Sequence, residues 1–447
     1  MAKTLIKNGT IVTVNANREI IYDGAILVED ELITQIGQSK DFSKINADIT
    51  ISAHGQIIIP GLINAHTHTG YYMMRGLGMD RSKWEWLIDS IFPWLLSMKE
   101  KDVYFASLLG YVECIKSGTT CLVDNQNYPI YNKRNYDAAA RAAQKAGLRV
   151  TFACGFSDLK FASPSDFINS PQGIEEECRR MIQNWHNKEN IRVAISPISL
   201  TSCSDQAIQL TVNLADEKGV GIHTHVAESK EDCARISERF GRGFIEAFNN
   251  LGALNNKFMS VHSVYLSDPE IELLSKAHAS VVHCPTANML LCDGIAPISK
   301  MRAAGINIAL GTDSPNNNND MLELMKFACI LTKVSTLDPL AITAADVLEM
   351  ATINGARALH LDDQIGSLEE GKRADITIVN ARCPRNTPLH DPVAALVYSA
   401  NGADVTNVMV NGKFLLKDGQ VTFLDEMALV DDVQQRADTL AKHMKVH

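Results

Sequence analysis

Eight short apolar runs alternate with helix-forming stretches between residues 57 and 360, and this alternation restricts the fold more than any other feature of the sequence. The runs are QIIIPGLINAHTH, TCLVD, LRVTFACG, IRVAISP, VGIHTHVAES, FMSVHSVYL, ASVVHCP and INIALGTDS. The stretches between them, such as NYDAAARAAQKAG, carry helix formers with apolar spacing near 3.6 residues. Alternating strands and helices build parallel sheets. Eight such units in about 300 residues predict an α/β fold with a (β/α)8 TIM barrel.

Both ends of the chain have a different texture, in which β-branched runs are broken by Gly, Asn and Asp. TLIKNGTIVTV and GAILVEDELITQIG lie before the barrel region, and GKRADITIVN and VTNVMVNGKFLLKDGQ lie after it. We expect the two ends to pair into one small β-sandwich into which the barrel is inserted. The predicted domains are therefore 1–56 (sandwich, N-terminal part), 57–362 (barrel) and 363–447 (sandwich, C-terminal part, with a terminal helix).

Composition excludes several classes of protein. The formal net charge of −10 argues against a nucleic-acid partner. No window approaches the ~18 uninterrupted apolar residues of a membrane span. The first residues, MAKTLIKNGTIVTVN, lack the apolar core of a signal peptide, so we expect a cytoplasmic protein. The ten cysteines include no C-x-x-C pair that would predict a zinc ribbon.

Histidines and acids stand at the ends of several predicted strands, where TIM barrels carry their catalytic residues. His66 and His68 share one face of an extended segment, because side chains alternate along a strand. His225 from the fifth run and Asp313 from the eighth complete three imidazoles and one carboxylate. Zinc and ferrous iron both accept such a set and leave room for a water. One isolated histidine is more often a hydrogen-bonded core residue, but four contributions at strand ends predict a metal site.

Two details refine this prediction. His223 shares a face with His225, but only His225 stands three residues before a glutamate, Glu228. We therefore assign His225 as the ligand and leave His223 as an alternative ligand or a partner of one. The fourth run, IRVAISPISLTS, has no lysine of the kind that bridges two metals in related barrels. A single metal ion is therefore favoured.

An ordered series of motifs resembles the amidohydrolase superfamily over essentially the whole chain. The series includes PGLINAHTH (60–68), HVAES (225–229), HCPTANMLLCDGIAPI (283–298), LGTDS (310–314) and GSLEEGKRADITIV (366–379). It is similar to the aminohydrolase branch, which holds S-adenosylhomocysteine/methylthioadenosine deaminases, guanine deaminases and s-triazine hydrolases such as atrazine chlorohydrolase. The resemblance implies one divalent metal ion, zinc or alternatively ferrous iron, with four ligands: His66, His68, His225 and Asp313.

The same resemblance implies the catalytic roles. Glu228 matches the proton shuttle, His262 matches the histidine beside the metal-bound water, and Asp313 accepts the water proton. Trp86, in KWEWLIDSIFPW (83–94), and Asn288 match positions that border the bound heterocycle.

One departure bears on the substrate. Adenosine-type deaminases resemble SPHxPYTCS after the fourth strand, whereas this chain has SPISLTSCS, with Ile198 in place of the histidine. The s-triazine enzymes also lack that histidine, so the departure argues against a nucleoside-type substrate.

The predicted function is a metal-dependent hydrolytic deaminase. It would release ammonia from an aromatic N-heterocycle (an aminotriazine, pterin or purine-like base) by attack of a metal-bound hydroxide. The alternatives are an s-triazine chlorohydrolase or alkylaminohydrolase, and an S-adenosylhomocysteine/methylthioadenosine deaminase. A small heterocyclic substrate is the expected partner, with neither nucleic acid nor membrane. The resemblance also implies a homo-oligomer, a dimer or larger.

Overall fold

The computed structural model describes residues 2–129, 133–160, 164–313 and 318–443. Its strands, in chain order, are β1 (Lys3–Val12), β2 (Ile20–Glu29), β3 (Leu32–Gln38), β4 (Ile49–Ser52), β5 (Gln56–Pro60), β6 (Leu62–Thr67), β7 (Thr119–Gln126), β8 (Arg149–Phe156), β9 (Ile191–Pro197), β10 (Ile222–Val226), β11 (Phe258–His262), β12 (Ser280–His283), β13 (Asn307–Leu310), β14 (Ile376–Asn380), β15 (Val405–Val410), β16 (Lys413–Lys417) and β17 (Gln420–Val421).

The helices alternate with the barrel strands and continue beyond them. They are α1 (Lys83–Trp86), α2 (Phe92–Ser97), α3 (Glu100–Lys116), α4 (Lys133–Ala146), α5 (Pro171–Trp185), α6 (Asp205–Lys218), α7 (Lys230–Phe240), α8 (Phe244–Asn250), α9 (Asp268–Lys276), α10 (Pro285–Leu290), α11 (Ile298–Ala303), α12 (Met321–Thr336), α13 (Ala344–Met350), α14 (Ile353–Ala358), α15 (Pro392–Tyr398) and α16 (Glu426–His443). A π-helical turn at Leu87–Ile91 connects α1 to α2.

The chain divides into two compact units. The first comprises Met1–Ala65, Val112–Leu122 and Asn319–Leu424, and the second comprises His66–Tyr111, Val123–Asn318 and Asp425–His447. The first unit thus takes in β1 to β5, β14 to β17 and α12 to α15, whereas the C-terminal helix α16 belongs to the second unit. The boundaries drawn from the sequence after residues 56 and 362 stay predictions.

Strands from both chain ends form one mixed sheet, which has nine strands in the described residues. Its order is β17-β16-β15-β14-β5-β1-β2-β3, with β4 also pairing with β1. The antiparallel pair of β14 and β5, with Ile378 opposite Ile58, joins the C-terminal strands to the N-terminal ones. Ile6, Ile58 and Ile378 are buried in one apolar cluster between these strands. The predicted pairing of the two chain ends is confirmed.

The second sheet contains the eight barrel strands in sequence order, β6 to β13. From β8 to β13 each strand pairs in parallel with the next. A parallel bridge between Thr67, at the end of β6, and Asp313, just after β13, brings the first and last strands together. The Asp313 N–H donates to the His66 carbonyl at 2.9 Å across this junction. The predicted (β/α)8 barrel is confirmed.

The run QIIIPGLINAHTH, read from the sequence as one strand, forms two. Its first half is β5 of the mixed sheet and its second half is β6 of the barrel. Gly61 stands at the division, where a Cβ atom would lie 2.0 Å from the Oγ1 of Thr120. A side chain at residue 61 would therefore collide with β7.

No helix among the described residues has both the length and the apolar character that crossing a membrane requires.

Asp320 provides a test of this architecture, because it caps α12 and also holds a distant turn. Its carboxylate accepts from the N–H groups of Leu322 and Glu323, and its other oxygen accepts from Gly402 N–H at 2.6 Å. We expect Asp320→Ala to lower the free energy of unfolding by about 2 kcal/mol, the upper end for loss of an N-cap. Urea unfolding would measure this loss.

The matched control is Asp391→Ala. Asp391 caps α15 through Val393 and Ala394, the two hydrogen bonds its carboxylate accepts among the described residues, so its loss should cost about 1 kcal/mol. Equal losses in the two variants would show that the bond to Gly402 contributes nothing.

Candidate metal centre and active site

The ends of the barrel strands bring together the side chains that the sequence singled out. The Nε2 atoms of His66 and His68 each lie 3.3 Å from Asp313 Oδ1. His262 Nε2 lies 3.7 Å from Asp313 Oδ2. The rings of His66 and His225 are 5.0 Å apart between centroids. Candidate ligand atoms of His66, His225 and His262 all lie within 4.8 Å of one another, as do those of His66, His68 and Asp313.

The barrel backbone sets the orientation of these imidazoles. His68 Nδ1 lies 2.7 Å from the carbonyl oxygen of Asn125, and His225 Nδ1 lies 2.9 Å from that of Ile198. A carbonyl oxygen only accepts, so both Nδ1 atoms carry the hydrogen, and in the neutral ring the lone pair is then on Nε2. His66 Nδ1 lies 3.2 Å from His223 Nε2. The Nε2 atoms of His66 and His68 are thereby left facing Asp313.

The donor set fits a bound cation. Because its Nδ1 donates to the Asn125 carbonyl, His68 directs its Nε2 at a carboxylate oxygen of Asp313 only 3.3 Å away, so the two atoms can bind one cation. Burial lowers the pKa of His66 to about 3 and holds the pKa of His225 well below its ordinary value, so both rings are neutral at pH 7. The imidazole nitrogens of His66, His68 and His225 and the carboxylate of Asp313 are together a donor set that can hold a divalent ion.

His223, left open by the sequence, lies behind the cluster. Its Nε2 contacts His66 Nδ1, and its Nδ1 lies 3.4 Å from Asn125 Nδ2. It is fully buried and does not belong to the groups of atoms that can share an ion in the described residues. This is the position of a partner that fixes the ring of His66.

Two residues of the cluster have backbone conformations that non-glycine residues rarely adopt. His262 and Asp313 both have φ of 67°. Left-handed backbone at such residues costs free energy and persists where the surrounding structure enforces it, often at functional sites.

Glu228 adjoins the cluster and forms an ion pair that the sequence analysis missed. Its Oε2 lies 2.6 Å from Lys83 Nζ and 3.9 Å from His262 Nε2. Burial alone would raise the pKa of Glu228, but Lys83 and then the neighbouring histidines lower it to about 2. Lys83 Nζ also lies 2.8 Å from Asp232, which belongs to a capping box with Ser229 at the start of α7. Glu228 is therefore an ionised carboxylate held beside the candidate metal centre.

The two predicted substrate contacts occupy different positions. Trp86 is 4% exposed and lines the cavity beside the histidine cluster. Asn288 is buried, its Oδ1 lies 2.8 Å from His262 Nδ1, and it does not line that cavity in the described residues. Asn288 thus orients His262 here, and its contact with substrate stays a prediction.

The cavity above the cluster encloses about 910 Å³, including the part open to solvent. Its lining includes residues of the candidate metal centre, Glu228 and Lys83, and further polar side chains, namely Asn127, Ser157, Ser199, Thr201, Ser202 and Asp232. Aromatic and aliphatic side chains form much of the remainder, namely Trp84, Trp86, Leu87, Ile91, Phe92, Ile198, Phe244 and Leu291. Such a cavity suits a flat, largely apolar ring with a few polar edges.

A buried carboxylate supports the loop that carries His68. Asp124, fully buried in β7, accepts from Thr69 N–H at 3.0 Å, from Thr69 Oγ1 at 2.6 Å and from the Tyr111 hydroxyl at 2.6 Å. Burial raises the pKa of Asp124, while these hydrogen bonds act against the rise. Its neighbour Asn125 supplies the carbonyl that orients His68. Asp124 therefore helps to place His68, a role that no local pattern in the sequence announces.

Comparison with known proteins identifies the family. The model of the amidohydrolase family matches residues 57–415, and the chain belongs to this family. The chain is 36% identical to a 5'-deoxyadenosine deaminase of Methanosarcina mazei, over 98% of this chain and 99% of the relative. It is 34% identical to a 5-methylthioadenosine/S-adenosylhomocysteine deaminase of Thermoanaerobacter pseudethanolicus, again over 98% and 99%.

A solved structure of another deaminase agrees with this family assignment. An adenosine deaminase from Xanthomonas campestris with bound zinc superposes with a TM-score of 0.93 at 28% identity, covering 99% of both chains. The predicted family and its aminohydrolase branch are confirmed, as is the predicted enzyme class, a hydrolase of non-peptide carbon–nitrogen bonds.

The Asp124 network yields a stability prediction. Asp124→Ala would leave the Thr69 and Tyr111 donors buried without an acceptor, and each such group costs about 1–3 kcal/mol. We expect a total loss of about 3 kcal/mol or more in the free energy of unfolding, measured in urea. Tyr111→Phe removes one donor with its hydrogen bond and should cost about 1 kcal/mol. If Asp124→Ala were no more destabilising than Tyr111→Phe, the hydrogen bonds between Asp124 and Thr69 would contribute nothing measurable to the free energy of unfolding.

Proposed function

We propose that the protein is a metal-dependent deaminase of an amino-substituted aromatic N-heterocycle. The observation that carries the proposal is the position of ionised Glu228, beside a cluster of candidate metal ligands and at the base of an aromatic-walled cavity. A carboxylate placed there can move protons to and from a ring bound in the cavity. The deaminases among its relatives support the same reaction class.

In this proposal His66, His68, His225 and Asp313 hold one divalent ion. We propose zinc, supported by the zinc in the related adenosine deaminase structure, with ferrous iron as the alternative that the ligand set also accepts. When bound there, such an ion would lower the pKa of a water from ~15.7 toward ~7 and would so supply a nucleophile at neutral pH.

Residues of the chain then transfer the two protons of the attacking water to the substrate. The attacking water gives one proton to Glu228, which passes it to the ring nitrogen next to the reacting carbon. The second proton goes through Asp313 to the amino group. The carbon–oxygen bond forms, the carbon–nitrogen bond breaks, and ammonia leaves. Because the pKa of Glu228 is about 2, it begins the cycle as a base.

His262 and the cavity wall stabilise and orient the reacting atoms. His262 Nε2 lies between Glu228 and Asp313, at 3.9 and 3.7 Å, where it can contact the attacking oxygen. Its Nδ1 is fixed by Asn288. Trp86 and Phe92 offer aromatic surface to a flat ring, which contributes burial and stacking. The cytoplasmic location and the homo-oligomeric state stay predictions.

Ammonia release tests the proposed reaction. Purified metal-loaded protein should release ammonia from at least one member of a panel of aminotriazines, pterins, guanine-type bases and 5'-deoxyadenosine. We expect Glu228→Gln to lower kcat by about 10²- to 10⁴-fold, the usual contribution of a general acid–base group.

The matched control is Glu231→Gln, an exposed glutamate of α7 paired with Arg235, which should leave the rate unchanged. If the released product were chloride or an alkylamine instead of ammonia, the proposed deaminase activity would be wrong, and the protein would be a different hydrolase of the same fold. A wild-type rate in Glu228→Gln would remove Glu228 from the mechanism.

Metal content tests the proposed ligands. We expect one equivalent of zinc per chain by elemental analysis. His68→Ala should bind zinc at least about 10- to 100-fold more weakly, because even partners of ligands contribute that much. Chelation should also lower the thermal midpoint of the wild type, since a ligand of the native state stabilises it. His54→Ala, an exposed turn residue, is the control and should keep its metal. Full zinc content in His68→Ala would contradict the assignment.

A further inference from the structure

We propose that an exposed apolar face of α12 is the surface through which two copies of the chain associate, with their α12 helices antiparallel across a two-fold axis. This face, the α12 stripe, consists of Phe327, Ile330, Val334, Leu337 and Leu340. The described residues that line the cavity include no member of the stripe, so the inference does not depend on the proposed reaction.

The α12 stripe is exposed although its side chains are apolar. Ile330 is 41% exposed and Val334 is 61% exposed, and beyond the helix Leu337 reaches 90% and Leu340 reaches 82%. The other side of α12 is already buried within the chain, at Met321, Leu322, Leu324, Met325, Ala328, Cys329 and Thr332. Single apolar residues on a surface are ordinary, whereas a continuous apolar patch marks a binding surface. The α12 stripe therefore needs a partner from outside the chain.

The spacing of the stripe is that of a seam between two helices. Between Phe327 and Leu337 its members follow one another at intervals of three, four and three residues. Residues three and four apart are neighbours on a helix surface, so these side chains form one row along α12. Two helices that pack lengthwise bury rows with this spacing against each other. The stripe thus fits a second helix that lies along it.

The end of α12 is formed by a leucine where a glycine would be easier. Leu337 closes the helix in the left-handed conformation, with φ of 54°. Glycine is the usual residue at such a helix end, because a Cβ atom makes this conformation unfavourable. The side chain of Leu337 is almost fully exposed, so it does not offset that disadvantage within the chain. Contact with another molecule would explain its presence.

The loop after α12 is ordered before any partner binds. The Asp338 N–H donates to the Lys333 carbonyl at 3.3 Å, and the Ala341 N–H donates to the Asp338 carbonyl at 3.3 Å. Asp338 Oδ1 accepts from the Leu340 N–H at 2.8 Å. The backbone on both sides of Asp338 is therefore held in place, and association loses less conformational freedom than it would with an unstructured loop.

Two exposed charges identify a second copy of the chain as the partner. Lys326 flanks the stripe near one end and Asp338 lies at the other end, and in the described part of the chain neither has an ion-pair partner. One antiparallel register places Ile330 opposite Val334 of the second copy. The same register places Lys326 opposite Asp338, so unlike charges meet at both ends of the seam, because two-fold symmetry makes each contact twice. A parallel pair would instead bring like charges together.

The mass of the full chain in sedimentation equilibrium tests the surface. We expect wild type to have the mass of two chains or a multiple of it. Val334→Asp and Val334→Lys should each weaken the association by about 100-fold or more and halve the mass, since a charge would be buried without a partner at the centre of the seam. Circular dichroism would verify folding, because only the aspartate opposes the dipole at the end of α12. Val430→Lys, at an exposed valine of α16, is the control and should keep the wild-type mass.

Cross-linking tests the antiparallel register. In that register Phe327 faces Leu337 of the second copy. Co-expressed Phe327→Cys and Leu337→Cys chains should therefore form a disulfide-linked dimer in air. Neither variant alone should do so, because its two introduced thiols would lie about 15 Å apart along the helices, beyond the reach of a disulfide. Wild type, with its exposed Cys292, measures the background.

Three outcomes would overturn the proposal. A monomeric wild type would mean that the α12 stripe binds a different protein or a lipid surface. The wild-type mass in both Val334 variants would mean that the copies meet elsewhere. Dissociation of both variants without cross-linking of the co-expressed pair would exclude the antiparallel arrangement. An enzyme that released no ammonia would leave all of these results unchanged, since none of them requires turnover.

Discussion

The hydrogen bonds that backbone carbonyls accept from His68 and His225 determine the rest of the site. The two carbonyls belong to Asn125 in β7 and to Ile198 just after β9. β7 lies next to β6 and β9 lies next to β10, so each imidazole is oriented by the strand beside its own. The register of neighbouring barrel strands therefore fixes the direction in which the Nε2 atoms of His68 and His225 point. A ligand set arranged in this way loses little conformational freedom when an ion binds.

The sequence predicted the parts of the molecule that depend on local periodicity. The eight apolar runs became the eight barrel strands because alternating strand and helix patterns leave few other solutions. The meeting of His66 and His68 could be predicted because a spacing of two places side chains on one face of a strand, and their role as ligands stays a prediction. Asp313 and His225 followed from their places at strand ends. The division of one run at Gly61 was missed, since the close approach of Gly61 to Thr120, which is remote in sequence, is not visible in the local pattern.

The interactions that tune the site could not be predicted in the same way. Lys83 and Glu228 are 145 residues apart, and neither the spacing nor the composition indicates that they meet. In the sequence, Asp124 is simply the last residue of the run TCLVD, and only the structure shows that Thr69 and Tyr111 donate hydrogen bonds to it. The contact between the Asn288 amide and His262 was likewise not indicated by the sequence, while the predicted contact of Asn288 with substrate stays a prediction. Tertiary packing decides which polar side chains are buried together, and a buried polar group must find its partner there.

The bridge between Thr67 and Asp313 has a consequence for the order of folding. Thr67 Oγ1 donates to the Asp313 carbonyl across 246 residues of chain. The proposed ligands His66 and Asp313 therefore meet only when the last barrel strand docks against the first, after the loop-closure entropy of the whole barrel has been lost. An ion that requires both ligands would bind late in folding and would slow reopening of the barrel. The metal supply would therefore affect how long the barrel stays closed, and not the rate at which its strands first assemble.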